Sequence, residues 1–299
     1  MIWISPYKLQ FKRGGANRSG FLIKMQTDEF VEGYADCFPW PEFGDPSVEA
    51  CVELIKRGES SPLLAQSLHF AKIDGLARAQ KKSLLGEVKC KNHALLYSRQ
   101  DWDLLPQFLE LGFDCFKMKC GANREAEQAW LNKVFDFADF KVRLDFNFRF
   151  SNPWFDFLNR YSDRIEYVED PSTDLQVWKE WPGKCEVALA RDQFPGNLPE
   201  SLFQVQIIKP AKQGLQDYSS RPKIFSSYLD HPVGQSFAFW QALQSENLDG
   251  THGLLSHFVY EDTAFSQALV VEGPWLQANQ GWGIGFDDLL KEQEWIALH

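Results

Sequence analysis

Lys117 and Lys119 stand two apart in Phe116-Lys-Met-Lys119, and a β-strand turns such residues to one face, so their ammonium groups would project together. On a solvated edge strand the pair would be plain surface charge. Here it ends an otherwise apolar run, and further short apolar runs end in the same way. Lys141-Val-Arg-Leu-Asp-Phe-Asn147 carries Asp145, Ile165-Glu-Tyr-Val-Glu169 is followed by Asp170-Pro171, Val187-Ala-Leu-Ala-Arg-Asp192 closes on Asp192, and Val205-Gln-Ile-Ile-Lys209 precedes Pro210. Each alone reads as a cap or a surface charge. Together, as consecutive strands of a barrel, they would bring Lys119, Asp145, Glu169, Asp192 and Lys209 to one rim, where barrel active sites are built.

Three carboxylates on neighbouring strands suit a hard divalent cation, and Mg2+ fits best because it keeps positions open for water and substrate oxygens. The cation and Lys117 would both disfavour protonation of Lys119, drawing it toward a general base. A substrate carboxylate on the cation could accept further negative charge as its α-proton leaves. The implied chemistry begins with proton abstraction beside a carboxylate, so the expected partner is a small-molecule carboxylate.

The elements that must position these groups follow from the hydrophobic pattern. Strand candidates are His93 to Tyr97, Phe113 to Lys119, Val142 to Asn147, Ile165 to Glu169, Val187 to Asp192, Val205 to Lys209 and Ile224 to Ser227. Their spacing suits one strand, one helix and one loop per repeat, as in a closed (β/α) barrel. In Val142 to Asn147 the apolar Val142, Leu144 and Phe146 would pack under the helices while Arg143, Asp145 and Asn147 point inward. The clearest helix spans Glu125 to Ala138, with Trp130, Leu131, Val134, Phe137 and Ala138 on one stripe. Ahead of the barrel, residues 1–88 open with two strand-like runs around the polar loop Phe11 to Gly20. A Pro-rich turn at Phe38 to Asp45 and helical spacing from Val48 and from Ser61 complete a small α+β unit. Residues 89–265 form the barrel, and residues 266–299 return to the first unit. No strand is followed by G-x-G-x-x-G or a Walker loop, and Gly281-Trp-Gly-Ile-Gly285 lies too late to open a βαβ unit.

These motifs resemble the enolase superfamily, and specifically its o-succinylbenzoate synthases of menaquinone biosynthesis. Gly33-Tyr-Ala-Asp-Cys-Phe-Pro39 is similar to the family's capping-domain segment and Gly281 to Asp287 to its return strand, so the resemblance covers nearly the whole chain. It implies an α/β fold, a modified TIM barrel (β/α)7β with an α+β capping domain. It assigns Asp145, Glu169 and Asp192 as Mg2+ ligands, Lys119 as the base and Lys209 as the opposing cation. The implied reaction is syn dehydration of 2-succinyl-6-hydroxy-2,4-cyclohexadiene-1-carboxylate. Ser226 and Ser227, in Phe225-Ser-Ser-Tyr-Leu-Asp-His-Pro-Val-Gly-Gln235, would hold the succinyl group, or serve only the turn. Lys117, Arg143 and Asn147 would support substrate and metal, or the interior polar layer. Arg18, in the Gly14 to Gly20 loop, resembles the mobile loop that closes over substrate, while His231 and His252 read as loop residues outside the catalytic set. Gln193 replaces the family's usual Glu after the third ligand, and Phe146 replaces a small residue.

The same lysine pair would serve an N-succinylamino acid racemase or a dipeptide epimerase, and a noncatalytic barrel binding a metal or partner is a more distant alternative. Composition narrows the rest. The chain has 299 residues with 44% hydrophobic and 24% charged, so it can bury a large core, and disorder is a poor reading. A net charge of −10 disfavours nucleic acid and anionic membranes as partners. Cys37, Cys51, Cys90, Cys115, Cys120 and Cys185 form no C-x-x-C pair and read as buried thiols, and the start lacks a signal-type pattern, so the expected location is cytoplasmic. Nothing in the sequence specifies an oligomeric state.

Overall fold

The computed structural model describes residues 1–213, 220–245 and 250–298. The first unit is an antiparallel meander of β1 (Ile2–Leu9), β2 (Arg18–Met25) and β3 (Gly33–Cys37), followed by two helices, α1 (Val48–Arg57) and α2 (Pro62–Ala79). Ser47 and Ser61 start the helices by accepting from Ala50 N and Leu64 N, and Pro62 at the first turn of α2 loses no helical bond. α2 lies close on β3, where a Cβ on Gly33 would run into the carbonyl of Ala71. Asp74 ties the unit to the distant return segment, accepting from Tyr34 N (2.8 Å), Ile284 N (2.7 Å) and Arg78 Nε (2.6 Å).

A short strand, β4 (Lys89–Lys91), leads into the barrel: β5 (Ala94–Leu96), α3 (Leu105–Glu110), β6 (Cys115–Lys119), α4 (Arg124–Phe137), β7 (Lys141–Asp145), α5 (Phe155–Arg160), β8 (Ile165–Glu169), α6 (Leu175–Glu180), β9 (Ala188–Arg191), β10 (Val205–Ile208), β11 (Lys223–Phe225) and α7 (Pro232–Leu243). β5 to β11 form one parallel sheet in chain order. Residues 252 and 253 close the ring between its two edges. His252 N donates to Lys91 O (2.7 Å) and His93 N to His252 O (2.8 Å), while Gly253 N donates to Phe225 O (2.8 Å) and Ser227 N to Gly253 O (3.0 Å). The result is a ring of eight places, the modified TIM barrel with an α+β cap expected from the sequence. Tyr167, Ala190, Ile207 and Ile224, one from each of β8 to β11, pack together as an interior cluster separate from the main core. Beyond the ring follow α8 (Ala264–Gln267), β12 (Val271–Glu272), β13 (Trp275–Gln277), α9 (Asp287–Lys291) and β14 (Ile296–Ala297). β13 pairs with β4 and β14 with β1, so late residues complete two sheets begun early.

Two local expectations need correction. The stripe on α4 does not include Phe137, which is 73% exposed; Leu131, Val134 and Phe135 face inward instead. Phe135 meets Phe140, Phe157 and Tyr161, and this aromatic group sets the buried face. The connection from β9 to β10 holds only a 3-10 turn, Glu200–Leu202, where a helix was expected.

Cap and barrel meet at a buried acidic cluster. Asp36 accepts from Tyr7 Oη (2.5 Å) and His231 N (3.1 Å), and Asp230 Oδ1 is buried without a partner. Burial, with Asp230 nearby, raises the Asp36 carboxyl well above its ordinary range, and burial pushes Asp230 up to about 7.

Candidate active site

Strand register places Lys119, Asp145 and Glu169 side by side across β6, β7 and β8, and β9 runs directly into Asp192. Lys119 Nζ donates to Asp145 Oδ2 (2.6 Å) and to Asn147 Oδ1 (2.9 Å). Lys117 Nζ bridges Asp145 Oδ2 (2.9 Å) and Glu169 Oε1 (2.7 Å), and Lys209 pairs with Asp192. β6 and β10 are four places apart in the eight-place ring, so the two outer lysines enter from opposite sides with the carboxylate strands between them. The five charged residues read from the sequence therefore share one end of the barrel.

Local turns aim these groups. Asn147 and Asp170, just beyond the strand ends, have φ of +43° and +42°, left-handed values that Asn and Asp tolerate better than other side chains. Asp170 accepts from Asp192 N (3.1 Å) and Gln193 N (2.7 Å), fixing the chain at Asp192. After Lys119, buried Glu127 of α4 accepts from the amides of Gly121, Ala122 and Asn123 and holds that loop.

Electrostatics divide the carboxylates. Burial works against the charge on Asp145, but Lys117 and Lys119 overcome it and hold the carboxyl well below the usual range. Burial and the Asp145 charge push Glu169 up to about 8, and burial with Asp192 pushes Asp170 up to about 7. Lys117 is buried too, yet Asp145 and Glu169 raise its pKa well above the ordinary value. Among the described residues no three acidic, His or Cys side chains already stand in a coordination shell, because the carboxylates turn to the lysines. The set nonetheless fits a hard cation: all donors are carboxylate oxygens, and Glu169 Oε2 is buried with no hydrogen-bond partner.

The remaining expected residues divide by place. Ser226 and Ser227 line a cavity with Lys117, Lys119 and Lys209; the Ser226 hydroxyl donates to backbone carbonyls, and the Ser227 hydroxyl is buried and unpartnered. Arg143 takes the interior role instead of facing substrate. It bonds Glu166 Oε2 (2.6 Å), Thr251 O (2.8 Å) and His93 Nδ1 (2.9 Å) and lies over the Tyr167 ring. Arg18 stands where the loop passes into β2, stacks 3.5 Å above Trp40 and holds Glu42 with both terminal nitrogens. His231 caps α7 and His252 accepts from Phe225 N, both outside the pocket chemistry. Asp170, Tyr97 and His93 were absent from the expected set.

Residues 2–77 match the family model described as the N-terminal domain of o-succinylbenzoate synthase. The chain is 33% identical over 327 residues to the o-succinylbenzoate synthase of Bdellovibrio bacteriovorus, covering 99% of this chain and 98% of that one. Its fold is similar to a dipeptide epimerase from Enterococcus faecalis, at TM-score 0.79 and 16% identity over 95% of this chain and 98% of that one. It is also similar to an N-succinyl Arg/Lys racemase from Bacillus cereus, at TM-score 0.78 and 16% identity over 99% of each. At such identities the structures speak for the fold alone, whereas the Bdellovibrio relative spans the whole chain at a level that marks common family. The chain belongs to the o-succinylbenzoate synthase family of the enolase superfamily.

Proposed function

We propose that this enzyme catalyses syn dehydration of 2-succinyl-6-hydroxy-2,4-cyclohexadiene-1-carboxylate to o-succinylbenzoate and water, a step of menaquinone biosynthesis. The observation that carries the reading is the placement of Lys119 and Lys209 on opposite strands of one ring, with Asp145, Glu169 and Asp192 between them. Lys119 takes the α-proton of the ring and passes a proton to the hydroxyl leaving the same face. One C–H and one C–O bond break, the ring becomes aromatic, and water departs. Lys209, held by Asp192, faces the opposite side as a cation while negative charge builds on the substrate carboxylate. Asp145, Glu169 and Asp192 would hold Mg2+, which supplies charge neutralisation for that carboxylate.

A second reading draws on the same pair: lysines on both faces could also invert a stereocentre, as an N-succinylamino acid racemase or dipeptide epimerase requires. Two incubations separate the readings. With Mg2+ and the cyclohexadiene substrate, o-succinylbenzoate should accumulate, stop on chelation and resume when Mg2+ is restored. Absence of that product, together with α-deuterium uptake and inversion of N-succinylamino acids in D2O, would replace dehydration by racemisation.

A further inference from the structure

The half of the rim without carboxylates carries a second polar set. Counting β5 as the first place, the carboxylates belong to places three to five and the outer lysines to two and six. The remaining places present Ser226, Ser227 and Gly253, and deeper in the barrel, ahead of β5 and below the level of Lys117, His93; with Lys117, Lys119 and Lys209 these line a chamber of about 50 Å³. The chamber is narrow enough to take one end of a substrate. Lys119 and Tyr97 also border a cavity of about 610 Å³ lined by Asn147, Phe148 and Gln193, with room for a substrate body.

His93 is 4% exposed, and its Nδ1 lies 2.9 Å from Arg143 Nη1. A guanidinium carries donors and no acceptor and stays charged in proteins, so Nδ1 must accept. A neutral imidazole accepting at Nδ1 carries its proton on Nε2. Burial, with Arg143 and Lys117 alongside, holds the His93 pKa well below its ordinary value, which keeps the ring uncharged. Nδ1 makes the one side-chain hydrogen bond of this ring among the described residues, which leaves the Nε2 proton without an acceptor. The ring edge bearing Cε1 and Nε2 faces Gly253, where a Cβ would lie 2.6 and 2.9 Å from those atoms. Glycine there lets the ring pack closely on the backbone of residue 253, and the side chain still borders the chamber.

We propose that His93 is a substrate-binding residue, donating from Nε2–H to an oxygen of a carboxylate-bearing arm of the substrate that enters this chamber, with Arg143 as the positioning residue that fixes its tautomer. The inference rests on reading the pocket as the substrate site. A neutral donor orients that group without adding to the charge of three ammonium groups already in the wall.

The test joins kinetics to histidine NMR. His93→Phe, which keeps a ring and loses the donor, should raise KM about 10-fold, the size of one neutral hydrogen bond, with a smaller change in kcat. His93→Gln, which restores an N–H near the same point, should recover most of that loss. In the wild-type protein labelled with 15N-histidine, the His93 signals, assigned by their absence in His93→Gln, should show the proton on Nε2. That proton should shift when Mg2+ and either o-succinylbenzoate or an N-succinylamino acid are added. A proton on Nδ1, no shift with either ligand, or a His93→Phe enzyme with wild-type KM would overturn the inference. A wild-type protein without synthase turnover whose Nε2–H still shifts with the N-succinylamino acid would overturn the proposed reaction and leave the role of His93 standing.

Discussion

Each outer lysine is already paired with a carboxylate on its own side of the ring, so neither can stand in for the other. Lys119→Ala should lower kcat by about 10²- to 10⁴-fold, the range of a positioned acid–base group. Lys209→Ala should lower kcat with little change in KM, because its cation meets charge that appears only as the reaction proceeds. Wild-type turnover in either variant, with an unchanged circular dichroism spectrum, would remove that lysine from the mechanism. Both residues were legible because a charged side chain at the end of an apolar strand has few uses. His93 and Asp170 were not legible as partners. The tautomer of His93 depends on Arg143, 50 residues away, and Asp170 looks like a turn residue before Pro171 until its bonds to Asp192 N and Gln193 N are seen. The contacts of Arg18 with Trp40 and Glu42 were not legible, because they join the start of β2 to a turn more than 20 residues away.

At the level of elements, α4 shows where hydrophobic spacing misleads. Phe135 and Phe137 are equally apolar in sequence, yet the first is 6% exposed and the second 73%. Phe135→Ala should cost about 3–5 kcal/mol in urea unfolding, as for a buried aromatic, while Phe137→Ala should stay within about 0.5 kcal/mol. Equal losses would mean that α4 packs on another face. The strands were easier to read than this helix, because period two admits only two faces and the charged strand ends marked which end mattered. The connection after β9 escaped because a short link and a helical one differ little in composition.

For the whole molecule, the cluster joining cap to barrel makes stability depend on pH. Asp230 titrates near 7 in the folded protein and Asp36 is raised as well, against about 4 in an unfolded chain. As pH rises the unfolded chain therefore ionises first, so the stabilisation is full below about pH 4 and is lost as pH rises through the folded values. Asp230→Asn keeps the shape and cannot ionise. The stability of wild type relative to this variant should fall between about pH 4 and pH 7 and level off above that in urea titrations; parallel profiles would show that Asp230 ionises in the folded protein as it does in the unfolded chain. The barrel itself was legible as a run of similar units, but its closure was not, because among the described residues the eighth place contributes only His252 and Gly253 to the backbone ladder. That closure is the thinnest seam in the ring, so amides of His93, His252, Gly253 and Ser227 should trade hydrogen for deuterium sooner than those inside β6 to β8. Since His93 and Ser227 flank this seam, a ligand grasped by both would act as a stitch, slowing the breathing of the wall that holds it.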